Sequence, residues 1–144
     1  MHTLLIDDDP ITTFLTERLL RHEGLSDTAA SFQSPTEALA FLLRQIPAGL
    51  VPQVILLDLN MPTMSGWDFL DILNRHVVQL QDQCIVYLLT SSVAPADEVR
   101  AKAHPLVAGL LLKPLDKRKI HQIRDHVRPA ASRANPLKGA WNPA

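Results

Sequence analysis

The residues that could do chemistry stand in one kind of place in this sequence, directly after a short apolar run. Asp7 and Asp8 follow Leu4-Leu5-Ile6, and Asp58 follows Val54-Ile55-Leu56-Leu57. Thr90 ends the run that begins at Ile85, and Lys113 follows the run that ends at Leu112. Carboxylates gathered in one crevice repel one another and raise their own pKa values unless a cation intervenes. A hard divalent ion resolves that repulsion, and Mg²⁺ takes one or two carboxylates, keeps waters and accepts a phosphate oxygen. A hydroxyl and an ammonium are what the other oxygens of a phosphoryl group require. An Asp can also take the phosphoryl group itself, as an acyl phosphate. Asp58 is therefore the candidate nucleophile. Each residue has a plainer reading when taken alone: Asp9 as a helix cap, Asp7 and Asp8 as a solvated pair at a helix start, Thr90 as a turn hydroxyl, Lys113 as a surface lysine. Coincidence at four strand ends together is a poor account.

For these side chains to meet, the apolar runs must be neighbouring strands. Residues 4–6, 54–57, 85–89 and 107–112 have the near-continuous apolar character of strands buried on both faces. Residues 28–32 are taken as a further strand mainly because one is due there. Between the strands the spacing is helical. Asp9 and Pro10 cap and open a helix whose Ile11, Phe14, Leu15 and Leu19 form one stripe, with Gly24 beyond its end. Ser34 and Pro35 open a second helix with Ala38, Leu39, Leu42 and Ile46 on one face, ended by Pro47 and Gly49. Trp67, Leu70, Leu73 and Val77 predict a helix over 67–77, and a short one is expected over 95–103. Ile120, Ile123 and Val127 predict a last helix over 116–127. The last of these stripes is expected to face inward. Strand and helix alternate five times, which implies a doubly wound α/β domain. Its sheet is five-stranded, parallel and covered on both faces, and ligands bind outside the carboxyl ends of the strands.

The 144 residues suit a single domain, here 1–128. Residues 129–144, with Pro129, Pro136, Gly139 and Pro143, read as a flexible tail with no output domain. An apolar fraction of 47% with 20% charged residues is that of a soluble globular chain. A net charge of -1 supplies no general field for nucleic acid or anionic membrane, so no direct DNA binding is expected. The basic residues Lys117, Arg118, Lys119 and Arg124 are read as a solvated helix face. Cys84, the single cysteine, is expected as a buried thiol. No apolar run approaches the ~18 residues that span a bilayer, and the N-terminal run is too short for a signal sequence. A cytoplasmic protein with no membrane insertion is expected.

Over about residues 3 to 127 the chain resembles a response-regulator receiver domain, the phosphoacceptor module of two-component signalling in the chemotaxis-Y-like superfamily. The resemblance is carried by Leu5-Ile6-Asp7-Asp8-Asp9-Pro10, by Asp58-Leu59-Asn60-Met61-Pro62-Thr63-Met64-Ser65-Gly66, by Leu89-Thr90-Ser91 and by Leu112-Lys113-Pro114. It implies a flavodoxin-like (βα)5 fold with strand order 2-1-3-4-5. It further implies that Asp58 receives a phosphoryl group from a phosphohistidine on a sensor histidine kinase or histidine phosphotransfer protein. Asp8 would ligate Mg²⁺ directly and Asp7 largely through water, with Asp58 and the backbone carbonyl of Asn60 completing the protein ligands. Thr90 would hydrogen-bond the arriving phosphoryl group and Lys113 would pair with it. The bond before Pro114 would be cis. A stand-alone signalling protein is implied, acting by protein–protein contact or phosphorelay. By the same resemblance it would catalyse its own phosphorylation and slow dephosphorylation and would not otherwise be an enzyme. Asn60 and Ser92, at the positions that tune acyl-phosphate hydrolysis, are uncharged and suggest a long-lived phospho-form. One departure stands out: Leu110 occupies the fifth-strand position where the family usually has an aromatic switch residue.

Three rival readings share parts of this pattern. A haloacid-dehalogenase-type phosphatase also uses a strand-end Asp, and Asp7-Asp8-Asp9 resembles its entry motif. That family needs Thr or Val where Ile11 stands, and a later strand-end acidic pair, whereas Asp116 and Asp125 fall in the last helical stretch. A flavodoxin-like flavin site would place a phosphate against Asp7-Asp8-Asp9, which repel it. A pseudo-receiver binding module, unphosphorylated, would not need the full set of site side chains.

Overall fold

The computed structural model of the chain describes residues 2–24 and 28–131. Five strands, β1 (His2–Ile6), β2 (Thr28–Phe32), β3 (Val54–Asp58), β4 (Ile85–Thr90) and β5 (Val107–Leu112), pair in parallel in the order β2-β1-β3-β4-β5. Six helical segments connect or follow them: α1 (Pro10–His22), α2 (Pro35–Gln45), α3 (Gly66–Leu73), α4 (Val77–Leu80), α5 (Pro95–Ala103) and α6 (Lys117–Ala131). This is the doubly wound α/β sheet that the alternation of runs implied. The expected second strand is present.

The alternation of side chains along the strands divides the core between the two faces of the sheet. Leu4, Ile6, Ile55, Leu57, Val86 and Leu88 point to the face covered by α2, α3, α4 and α5. Leu5, Val54, Leu56, Tyr87, Leu89 and Leu111 point to the face covered by α1 and α6. Each buried Leu or Ile contributes about 1.5–3 kcal/mol, and the runs Leu4–Ile6, Val54–Leu57 and Ile85–Leu89 lead directly into the polar residues Asp7, Asp58 and Thr90. Cys84 is buried in the first of these clusters, as expected, and burial pushes its thiol up to about 12. Register matters for the site. Ile6 pairs with Leu57, Asp58 with Leu89 and Thr90 with Leu112, so β1, β3, β4 and β5 end along one edge.

Local signals explain the helix starts. Asp9 accepts from the Ile11 N–H at 3.0 Å ahead of Pro10. Ser34 caps α2 ahead of Pro35. Ser65 and Asp68 cap α3 reciprocally, an arrangement typically worth about 1 kcal/mol. Gly24, at φ +66°, takes the chain out of α1 through the left-handed region that an L side chain resists.

On α1 the apolar stripe at helical spacing is not the buried one. Thr13, Thr16 and Leu20 are buried, while Ile11, Phe14 and Leu15 are 69%, 55% and 57% exposed; Leu19 packs at the edge of the core. Positions 13, 16 and 20 form a second stripe at helical spacing. The Thr13 hydroxyl can enter the core because it donates to the Asp9 carbonyl at 2.9 Å. The helix expected over 67–77 is interrupted. After Leu73 a 3₁₀ turn, Asn74–His76, carries the chain into the short α4, and Val77 still packs on the core. The last helix runs past its expected end at Val127 to Ala131. The rest of the tail expected over 129–144 lies outside the described residues. Among the described residues, no helix is long and apolar enough to cross a membrane.

Candidate functional site

The strand ends bring three carboxylates together. Asp7, Asp8 and Asp58 each offer an oxygen within 4.8 Å of the others. Asp7 follows β1 and Asp58 ends β3, both buried, whereas Asp8 is half-buried toward solvent. Lys113, after β5, reaches both buried acids: its Nζ lies 3.2 Å from Asp7 Oδ2 and 3.3 Å from Asp58 Oδ1. The remaining bonds fix orientation. Asp7 Oδ1 accepts from the Asp9 N–H at 2.9 Å, and Asp58 Oδ1 accepts from the Asn60 N–H at 3.2 Å.

The electrostatics follow from burial and crowding. Burial, reinforced by the Asp7 carboxylate, raises Asp58 from the ordinary 3.8 to about 6, and Lys113 only partly counters this. For Lys113, burial disfavours the ammonium, but Asp58 and Asp7 outweigh it and hold its pKa above the ordinary value. With all groups ionised, three carboxylates face one ammonium, a formal surplus of two negative charges. A hard divalent cation matches that surplus and the oxygen character of the donors. The donor set fits Mg²⁺.

The Thr90 hydroxyl, at the end of β4, is fully buried and engaged within its own loop. It donates to the Ser92 carbonyl at 2.9 Å and accepts the Ser92 N–H at 3.2 Å. Thr90 therefore stands at the site with its hydroxyl committed to the turn. The Lys113 N–H donates to the Thr90 carbonyl at 2.7 Å, which ties the two strand ends together. The Lys113–Pro114 peptide is cis, as expected. Gly66 lies so close to β3 that an added Cβ would sit 2.9 Å from the Asp58 carbonyl oxygen. The sequence thus places a residue without a side chain where the loop after Asp58 folds back on the strand.

A family model described as "Response regulator receiver domain" matches residues 3–125. The chain belongs to the response regulator receiver family. Among solved structures, this receiver is similar to a two-component response regulator from Cytophaga hutchinsonii, at 32% identity and a TM-score of 0.83, covering 89% of this chain and 96% of the other. It is also similar to a response regulator receiver protein from Dyadobacter fermentans, at 28% identity and a TM-score of 0.78, covering 91% and 98%. The chemotaxis protein CheY4 of Vibrio cholerae shares the fold, at 23% identity and a TM-score of 0.71, covering 88% and 97%. No curated protein matches the chain.

Some of this receiver's contacts between elements were not legible in its sequence. Trp67 serves the core, as its spacing suggested, but its indole Nε1 also donates to Asp97 Oδ1 of α5 at 3.1 Å. Glu23, just past α1, accepts a hydrogen bond from His121 Nε2 of α6 at 2.7 Å, which lowers the pKa of its carboxyl. Neither pair has a sequence signal, because each joins helices far apart in the chain. Leu110 is half-buried at the edge of the core. The aromatic of this region is Tyr87 on β4, and its ring occupies the place a side chain on Gly109 would fill, 3.1 Å from an added Cβ.

Proposed function

We propose that Asp58 of this receiver accepts a phosphoryl group from a phosphohistidine, in a Mg²⁺-dependent reaction, and that the domain signals by protein–protein contact or relay. The observation that carries the proposal is the convergence of the buried Asp58, Asp7 and Lys113 with Asp8 at one edge of the sheet. An Asp58 oxygen attacks phosphorus as the bond to the imidazole nitrogen breaks, and the histidine leaves with its nitrogen lone pair. Asp7, Asp8 and Asp58, with the backbone carbonyl of Asn60, would hold the ion, which supplies neutralisation of phosphoryl oxygen charge. Lys113 shifts from balancing two carboxylates to pairing with the phosphoryl group. Thr90 gives up Ser92 to donate to a phosphoryl oxygen. Positioning and charge account for the chemistry, as phosphoryl transfer allows.

Two features beside the site support a protein donor. A groove of about 160 Å³ is lined by Leu15, Thr16, Lys113, Pro114 and Leu115 among others. Ile11, Phe14 and Leu15 stand exposed on α1 next to it. A donor whose histidine sits on an apolar surface would cover both while presenting its phosphoimidazole to Asp58.

Incubation with acetyl phosphate and Mg²⁺, followed by intact-mass measurement, tests the proposal. One phosphoryl group per chain is expected, and none in Asp58→Ala. No gain in the wild type, or an equal gain in the variant, rejects it.

A further inference from the structure

Helix α5 is fastened to the domain by little apolar surface. Ala101 is its buried residue, and Val99 is 70% exposed. Its N-cap, Ala94, has no polar side chain to offer the first turn. Asp97, in that turn, instead accepts the Trp67 indole N–H at 3.1 Å. On the next turn the Arg100 guanidinium lies over the same indole, 4.5 Å from the ring centroid, and 3.6 Å from Asp71 of α3. Trp67 is thus gripped at its edge by a carboxylate and on its face by a cation, both from α5.

Both ends of this grip lead back to the site. Trp67 follows Gly66, which packs directly on the Asp58 carbonyl. Asp97 follows Thr90 through the short exposed loop 91–94, which the Thr90 hydroxyl closes on itself through Ser92. Under the phosphoacceptor reading, on which this inference rests, Thr90 must release Ser92 to reach the phosphoryl group. The loop is short and α5 is weakly packed, so that release pulls on the first turn of α5, where Asp97 holds Trp67.

We infer that Trp67 is a positioning residue. With Asp97 and Arg100 it latches α5 to α3 in the arrangement in which Thr90 bonds Ser92, and the latch opens as Thr90 turns to the phosphoryl group. The latch holds the resting arrangement, so loosening it favours the phosphorylated one. It provides a route from Asp58 to an exposed helix that does not use an aromatic at Leu110.

The test uses the Trp141→Phe background, in which Trp67 is the remaining one of the two tryptophans. Mg²⁺ and beryllofluoride, an acyl-phosphate analogue, are added while Trp67 emission is followed, and binding is measured in parallel by calorimetry. Emission is expected to change on binding, because the indole loses its flanking carboxylate and guanidinium. Asp97→Ala is expected to bind the analogue about tenfold more tightly, the scale of one hydrogen bond to a charged group. Asp97→Asn keeps a carbonyl acceptor and is expected to stay within about threefold of the parent. Arg100→Ala, which loosens the other half of the grip, is expected to move with Asp97→Ala. Unchanged emission at calorimetric saturation, or alanine variants equal to the parent, overturns the latch and leaves Asp58 as the acceptor. Absence of analogue binding to the parent overturns both.

Discussion

Replacing Asp58 with Asn should make the metal-free protein more stable at neutral pH. The reason lies in the crowding of the site. A carboxyl raised from 3.8 to about 6 keeps its charge at pH 7 against burial and the Asp7 carboxylate. At about 1.4 kcal/mol per pH unit, that charge costs the native state roughly 3 kcal/mol. The sign follows from proton binding. Between the unfolded pKa near 3.8 and the folded value near 6, the native state holds a proton that the unfolded chain has lost. Unfolding free energy therefore falls as pH rises through this window, and the full cost is present above it. Asn cannot ionise and keeps a carbonyl acceptor for the Asn60 N–H. Lys113 loses one of its two carboxylates but keeps Asp7 at 3.2 Å, so the net gain is discounted to about 2 kcal/mol. With a urea slope of about 2 kcal/mol/M, the unfolding midpoint should rise by about 1 M at pH 7. At pH 4 the wild-type carboxyl is largely protonated and the gain should nearly vanish. Urea titrations of both proteins without divalent ions, at the two pH values, decide it. No gain at pH 7, or the same gain at both, refutes the reasoning.

Three further outcomes are expected. Mg²⁺ affinity, measured by calorimetry across pH 5 to 8, should fall as pH drops through about 6, because the proton competes with the ion for Asp58; a flat profile contradicts Asp58 as a ligand. Gly66→Ala should destabilise the fold by about 1–3 kcal/mol in urea titration, since its Cβ would meet backbone and not a movable side chain. Phe14→Glu on the exposed face of α1 should change stability by no more than about 0.5 kcal/mol. It should slow transfer from a phosphohistidine protein far more than transfer from acetyl phosphate, a contrast that stopped-flow or gel assays resolve.

The parts of this molecule that were legible in the sequence are those where one physical requirement acts alone. β1, β3 and β4 are buried on both faces, so the runs ending at Ile6, Leu57 and Leu89 could be read without ambiguity. Helix starts at Asp9-Pro10 and Ser34-Pro35 were readable because a cap and a proline each satisfy a local backbone need. The carboxylates and Lys113 were found because strands in parallel register must deliver their last residues to one edge. Where two solutions satisfied the same rule, the sequence did not choose. Helix α1 carries an apolar stripe and a threonine-containing one, and the second, with the Thr13 hydroxyl bonded to the Asp9 carbonyl, took the inside. The orientation of the Thr90 hydroxyl and the grip on Trp67 depend on short contacts between separate elements, which residue spacing does not encode.

The central claim is that Asp58 carries the phosphoryl group, and reductive trapping tests it most directly. Borohydride reduces an acyl phosphate to an alcohol with release of phosphate. Protein phosphorylated in the presence of Mg²⁺, then reduced, digested and sequenced by mass spectrometry, should carry homoserine at position 58 and at no other aspartate. Homoserine at position 7, 8 or 9, or none in protein that has gained a phosphoryl mass, would contradict the account.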